Sequence, residues 1–175
     1  MATLFLDASA ILAAFDLDDE LHEAAKALLA NPDVTLATLD LARYEVANVA
    51  VRAWRRPAQL LPLLEAIDRI ADDGGITLCT STLLTRAAEL AEQHAISVYE
   101  AASAAASLKA GATLVSCDAR DLIGKGLARA APPICPRPDR RLARTAAVAT
   151  REGSSESPPV IIAGGCASVI ERAGA

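Results

Sequence analysis

A chain of 175 residues, 53% of them hydrophobic, is long enough for one domain with a sizeable core and an appendage. Its formal net charge of −5 argues against a protein that coats nucleic acid with a broad basic surface. The widely spaced Cys79, Cys117, Cys135 and Cys166 include no Cys-x-x-Cys pair, which excludes a zinc-ribbon type of site and a dense disulfide framework and fits a reducing, cytoplasmic setting. No basic leader with an apolar core opens the chain, and no uncharged apolar run reaches about 18 residues, so no membrane partner is expected.

In chain order, short apolar runs alternate with helical spacing. Residues 4–6, 34–37, 76–79 and 113–117 are runs too continuously apolar for a half-exposed sheet, and they predict buried strands. Residues 19–30, 39–53, 57–71, 82–94 and 99–110 carry helical periodicity, with Gly74-Gly75 and Gly111 placed as stops. Abundant alanine and only five aromatics favour closely packed helices over a β-sandwich. The alternation predicts an α/β domain over residues 1–130 with a central, mainly parallel sheet. Ligands of such sheets bind beyond the carboxyl ends of the strands, where Asp7 and Asp118 both fall.

Beyond residue 130 the composition changes. Residues 1–130 hold 11 basic and 18 acidic side chains, and residues 131–175 hold 6 and 4. "APPICPRPDRRLARTAAVATREGSSESPP" is rich in Pro, Arg, Ser and Gly without sustained periodicity, and 131–175 is expected to be an irregular or disordered tail.

Four acids stand where chemistry is expected. Asp7 and Asp118 close two strands, Glu45 lies within "LARYEVANVAVR" and Glu100 opens "YEAASAAASL". Taken singly, each has a structural explanation as a cap or dipole partner, with Glu100 the plainest case. Taken together, clustered carboxylates raise one another's pKa unless a cation neutralises them, and hard oxygen ligands suit magnesium or manganese. His22 and His94 are expected on helix surfaces, Ser103 and Ser107 as small packing residues, and Cys117 as an unreactive strand residue. Helical spacing puts Glu45, Asn48, Val49 and Arg52 on one side, with Arg52 directed toward substrate phosphates and Arg55 and Arg56 beyond it. The alternative for these arginines is a helix C-terminus ended by Pro57. Five aromatics are expected to offer no base-stacking platform.

The ordered set "LFLDASAIL", "YEVANV" and "SVYEAASAAASLKAGATLVSCDARDL" resembles the PIN-domain nucleases, and in particular the VapC toxin ribonucleases of bacterial toxin–antitoxin pairs. The resemblance covers roughly residues 1–128. It implies an α/β/α sandwich in which Asp7, Glu45, Glu100 and Asp118 are catalytic, with Asp7, Asp118 and Glu100 holding Mg2+ or Mn2+. Ser9 and Ser116 match small hydroxyl positions near the metal and Asn48 accompanies the helix glutamate; with Arg52 these are the expected substrate-facing residues. RNA would be the substrate, with a cognate antitoxin and a second copy of the chain as partners. Two departures stand out: Glu100 replaces the family's usual aspartate, and "GLARAAPPICPRP" is a poor last strand. Besides a toxin, a PIN nuclease for RNA processing without an antitoxin and a catalytically degenerate PIN binding module are the alternatives.

Overall fold

The computed structural model describes residues 3–131. Four parallel strands, β1 (Thr3–Leu6), β2 (Thr35–Leu39), β3 (Ile76–Thr77) and β4 (Thr113–Val115), lie in the order β3-β2-β1-β4. The chain therefore winds outward from β1 to β3, then crosses to place β4 on the other flank of β1. The order reverses between β1 and β4, and a crevice opens there at the carboxyl ends of the strands.

Side chains alternate across a strand, so β1 feeds both faces of the sheet. Phe5, Leu39 and Leu114 join one buried cluster with α5 (Ser81–His94) and α6 (Val98–Ala110). Leu6 and Val115 join a second with α1 (Ala8–Ala13), α2 (His22–Leu29), α3 (Ala42–Asn48) and α4 (Leu60–Asp72). The result is the expected α/β/α sandwich around a parallel sheet. In α6, residues 101 to 107 are all buried, alanine except at Ser103 and Ser107. A helix buried on every side must be slim where it touches its neighbours. The two serines serve that packing as expected, and Ser107 Oγ donates to the Ala104 carbonyl at 2.8 Å.

Several boundaries differ from expectation. The run from residue 39 does not start a helix, because Leu39 completes β2 and α3 begins at Ala42. That helix does not continue regularly to residue 53. From Val49 to Ala53 it becomes a π-helical turn, in which the Trp54 amide donates to the Val49 carbonyl at 2.8 Å. α1, which has six residues, was too short to register as periodicity. His22 is buried rather than on a surface: its Nδ1 lies 3.0 Å from the Ala13 carbonyl oxygen, tying α2 to the end of α1. Its Nε2 has no hydrogen-bond partner among the described residues.

Gly75 is more than a helix stop. A Cβ there would lie 2.1 Å from the Leu36 carbonyl oxygen, so only glycine lets the chain enter β3 this close to β2. The missing last strand survives as one parallel bridge between Val115 and Arg129. The Ser116 amide donates to the Arg129 carbonyl at 3.0 Å, and the Arg129 amide to the Leu114 carbonyl at 2.9 Å. Of the tail expected over 131–175, Ala131 is buried against the second cluster and the rest lies outside the described residues. Among the described residues, no helix is long and apolar enough to cross a membrane.

Candidate active site

Asp7 leaves β1 with its amide donating to the Val115 carbonyl at 3.0 Å, so its position is set by the β1–β4 ladder. Its carboxylate is nearly buried, at 8% exposure, which requires hydrogen bonds to offset lost hydration. Oδ2 accepts from Ser9 Oγ at 2.7 Å, from the Ser9 amide at 3.3 Å and from Ser116 Oγ at 3.3 Å. The two hydroxyls lie 3.0 Å apart and are held in turn by the Cys117 amide on Ser9 Oγ and the Asp118 amide on Ser116 Oγ. Oδ1 takes none of these bonds. Ser9 and Ser116 thus act beneath the carboxylate.

Asp118 caps the π-helical turn Ala119–Ile123: its Oδ1 accepts from the Arg120 and Asp121 amides, each at 2.9 Å. Glu100 occupies the first turn of α6 in a reciprocal capping box. Its Oε2 accepts from the Ser97 amide at 2.8 Å while its own amide donates to Ser97 Oγ at 3.2 Å. The capping explanation for Glu100 is therefore realised, and it does not remove Glu100 from the cleft. One carboxylate oxygen from each of Glu100, Asp118 and Asp121 lies within 4.8 Å of the others.

Asp121 was not singled out from the sequence. Three residues after Asp118 in "DARD", it resembles any surface acid in a turn, and only the turn's tight geometry folds it back toward Glu100. Arg120 reaches Asp121 Oδ2 through Nε at 3.0 Å and Nη2 at 2.9 Å. That hydrogen bond, reinforced by the charges of Asp121, Asp118 and Glu100, pushes the guanidinium pKa up.

Glu45 projects from α3 toward the same space. Burial, then the charges of Asp7 and Glu100, push its carboxyl pKa up to about 7. Asp7, Glu45, Glu100 and Asp118 line one cleft of about 320 Å³ together with Ser9 and Asn48. Arg52 does not line it, because the π-helical turn changes the phase of the helix after Val49. A cavity of about 500 Å³ at the amino ends of the strands includes Thr35, Leu36 and Asp73, but brings together no group of acids. Cys117 lies beyond the end of β4, and its thiol is pushed up to about 11 by burial, then by Asp19 and Asp7. It stays protonated and is no nucleophile.

The donor set fits a hard divalent cation. Every candidate donor is a carboxylate oxygen, with Asp118 and Asp121 sharing one turn and the others on separate elements; Asp7 presents an unengaged oxygen, and the Glu45 carboxyl is raised first by burial and then by the charges of Asp7 and Glu100.

The reversal of strand order with acids gathered above it defines a parallel α/β protein with an acidic cleft at its switch point. The PIN domain family model matches residues 4–124, and the chain belongs to that family. Three solved structures share the fold. A toxin–antitoxin complex from Klebsiella pneumoniae aligns with TM-score 0.54 and 17% identity over 75% of this chain and 99% of the other. PAE2754 from Pyrobaculum aerophilum gives 0.52 and 21% over 83% and 98%. VapC20 from Mycobacterium tuberculosis, described as a sarcin-ricin-loop-cleaving toxin, gives 0.58 and 23% over 74% and 99%. No curated protein matches the chain.

Proposed function

We propose that this chain is a divalent-metal-dependent endoribonuclease, the toxin member of a toxin–antitoxin pair. The convergence of Asp7, Glu45, Glu100 and Asp118 on one cleft carries the proposal. Membership of the PIN family and the toxin descriptions of two structural neighbours support it.

Asp7, Asp118 and Glu100 would hold Mg2+ or Mn2+, with Asp121 within reach of the last two. When bound, the cation supplies charge neutralisation at the attacked phosphate and a lowered pKa for a bound water. Ser9 and Ser116 fix the Asp7 carboxylate by its Oδ2, leaving Oδ1 free of these bonds. Glu45, lining the same cleft, would orient the attacking water and accept its proton. In hydrolysis the water oxygen forms a bond to phosphorus while one phosphodiester P–O bond breaks, and the leaving oxygen takes up a proton.

The test is cleavage of single-stranded RNA by the full chain with Mg2+, with Mn2+ and with a chelator. Metal-dependent internal cuts are expected; a chain inert under all three conditions is a binding module and the proposal falls. The same reading supplies a cognate antitoxin and self-association, both checked by co-purification and light scattering. Release of activity on removing that partner separates a toxin from an RNA-processing nuclease.

A further inference from the structure

The five aromatics are not scattered. Phe5 is fully buried, and Phe15 and Trp54 pack partly buried against the second core cluster. Tyr44 and Tyr99 are 75% and 63% exposed. Both immediately precede a cleft carboxylate, in "YEVANV" and "YEAASA", so the fold carries them to the cleft's rim with Glu45 and Glu100. They share a groove of about 610 Å³ with Leu41, Glu45 and Asn48, and Glu45, Asn48 and Tyr99 also belong to the wall of the acidic cleft. Neither phenol makes a hydrogen bond within the described residues. What sets the two apart from the other exposed apolar side chains is that they meet in one groove beside the acids.

We propose that Tyr44 and Tyr99 form a stacking platform for an unpaired nucleobase next to the phosphate bound in the cleft. This rests on the nuclease reading for the position of the phosphate, and it adds which part of the substrate is gripped. Three observations favour a nucleic acid over a peptide. Leu41 is the groove's single aliphatic residue, too little for an amphipathic helix to dock on. Asn48, exposed between the tyrosine rim and the acids, offers an amide donor and acceptor suited to a base edge. Arg52, Arg55 and Arg56 follow on the same stretch of chain, exposed and with no ion-pair partner among the described residues. Planar faces and an amide beside the acidic cleft, with unpaired cations farther along the chain that line neither groove nor cleft, match a single strand that presents bases and phosphates in turn. The tyrosines are positioning residues that touch substrate without taking part in bond breaking.

The test uses the full-length chain carrying Asp7→Asn to prevent cleavage, with Mg2+ present and a single-stranded RNA containing 2-aminopurine. Anisotropy gives Kd, and quenching of 2-aminopurine reports stacking. Tyr44→Ala and Tyr99→Ala should each weaken binding about tenfold, Tyr→Phe should restore it, and the double alanine variant should abolish quenching. An RNA abasic at the sensitive position should bind parent and alanine variants equally. Unchanged Kd and quenching in the alanine variants overturn the proposal, as does equal weakening on abasic RNA. If the substitutions instead weaken a co-purified antitoxin and leave RNA binding alone, the groove belongs to that protein. Cleavage by the unmodified chain is scored separately. Tyrosine-dependent quenching without cleavage sinks the nuclease reading alone, and cleavage with silent tyrosines sinks the platform alone.

Discussion

The two corners of the cleft hold their carboxylates by different means. Asp7 is nearly buried at a strand end and fastened by two serine hydroxyls and an amide on one oxygen. Glu100, Asp118 and Asp121 are half-exposed at the starts of helical turns, and Glu100 and Asp118 hold themselves there by capping backbone amides. At the first corner the sheet fixes the carboxylate. At the second, the same side chains stabilise a helix start and face the cleft, so on the proposed reading helix capping and cation binding fall to the same carboxylates. The first corner is expected to set affinity and the second to tune rate.

The largest effect should come from breaking the fixed corner. Asp7→Asn is expected to lower metal-dependent cleavage at least about a hundredfold, and Asp118→Asn to do the same across the cleft. Thermal melts of the metal-free proteins should hold or rise, since one carboxylate fewer relieves repulsion. Full activity in either variant would falsify the assignment.

Glu100 sharpens the comparison because its two tasks separate chemically. Glu100→Gln keeps an acceptor for the Ser97 amide but removes the charge. It should melt like the parent yet cleave about tenfold more slowly, with less effect on binding of the first ion. Glu100→Asp keeps the charge on an arm one methylene shorter. It should retain substantial cleavage while losing about 1 kcal/mol of stability with the reciprocal cap. Single-turnover kinetics, metal titration and melting of both variants decide it. If Glu100→Gln cleaves at the parental rate, Glu100 only caps the helix.

Glu45 lies between the corners and supplies a pH test. Its carboxyl is raised from 4.5 to about 7 in the metal-free fold, so over that window the folded chain holds a proton that the unfolded chain has lost. Metal-free stability should therefore fall as pH rises from about 4.5 to about 7, and Glu45→Gln should flatten that slope. Cation affinity should run the other way, rising through the same window as the proton leaves. Melts and Mg2+ titrations at several pH values check both signs.

The smallest effect is expected from the tail. A chain ending after Ala131 should melt and cleave like the full protein, whereas one ending after Ala128 loses the Arg129 bridge to β4 and the buried Ala131, and should melt lower. Comparing the two truncations by calorimetry tests this.

Much of this was legible in the sequence because the strands are short and uniformly apolar: β1 ends at Leu6 as read, so Asp7 follows it directly, whereas β4 stops at Val115 rather than residue 117 and Asp118 stands in the loop beyond it. Glu45 and Glu100 were legible as charges on otherwise apolar helical faces. What escaped depends on how separate segments meet. His22 has a surface residue's local pattern until the Ala13 carbonyl of another helix comes to meet it. Asp121 reaches the cluster through one tight turn, which no periodicity encodes. Counting aromatics led to the expectation of no base-stacking platform, because a count cannot show that Tyr44 and Tyr99 share one groove; the repeated Tyr-Glu pair was the available signal. Arg52 was placed by assuming unbroken α-helical spacing.

The π-helical turn at Val49–Ala53 has a wider consequence. It acts as a phase shifter between two stretches of one continuous helical run. Side chains before it are keyed to the carboxylates, and those after it are indexed separately, so the two can diverge independently. Changes in the arginine segment, including a shift of its rotation about the axis, need not drag Glu45 out of register. A lineage can thus re-aim its cationic residues at a different strand geometry while the acid that faces Asp7 stays where it is.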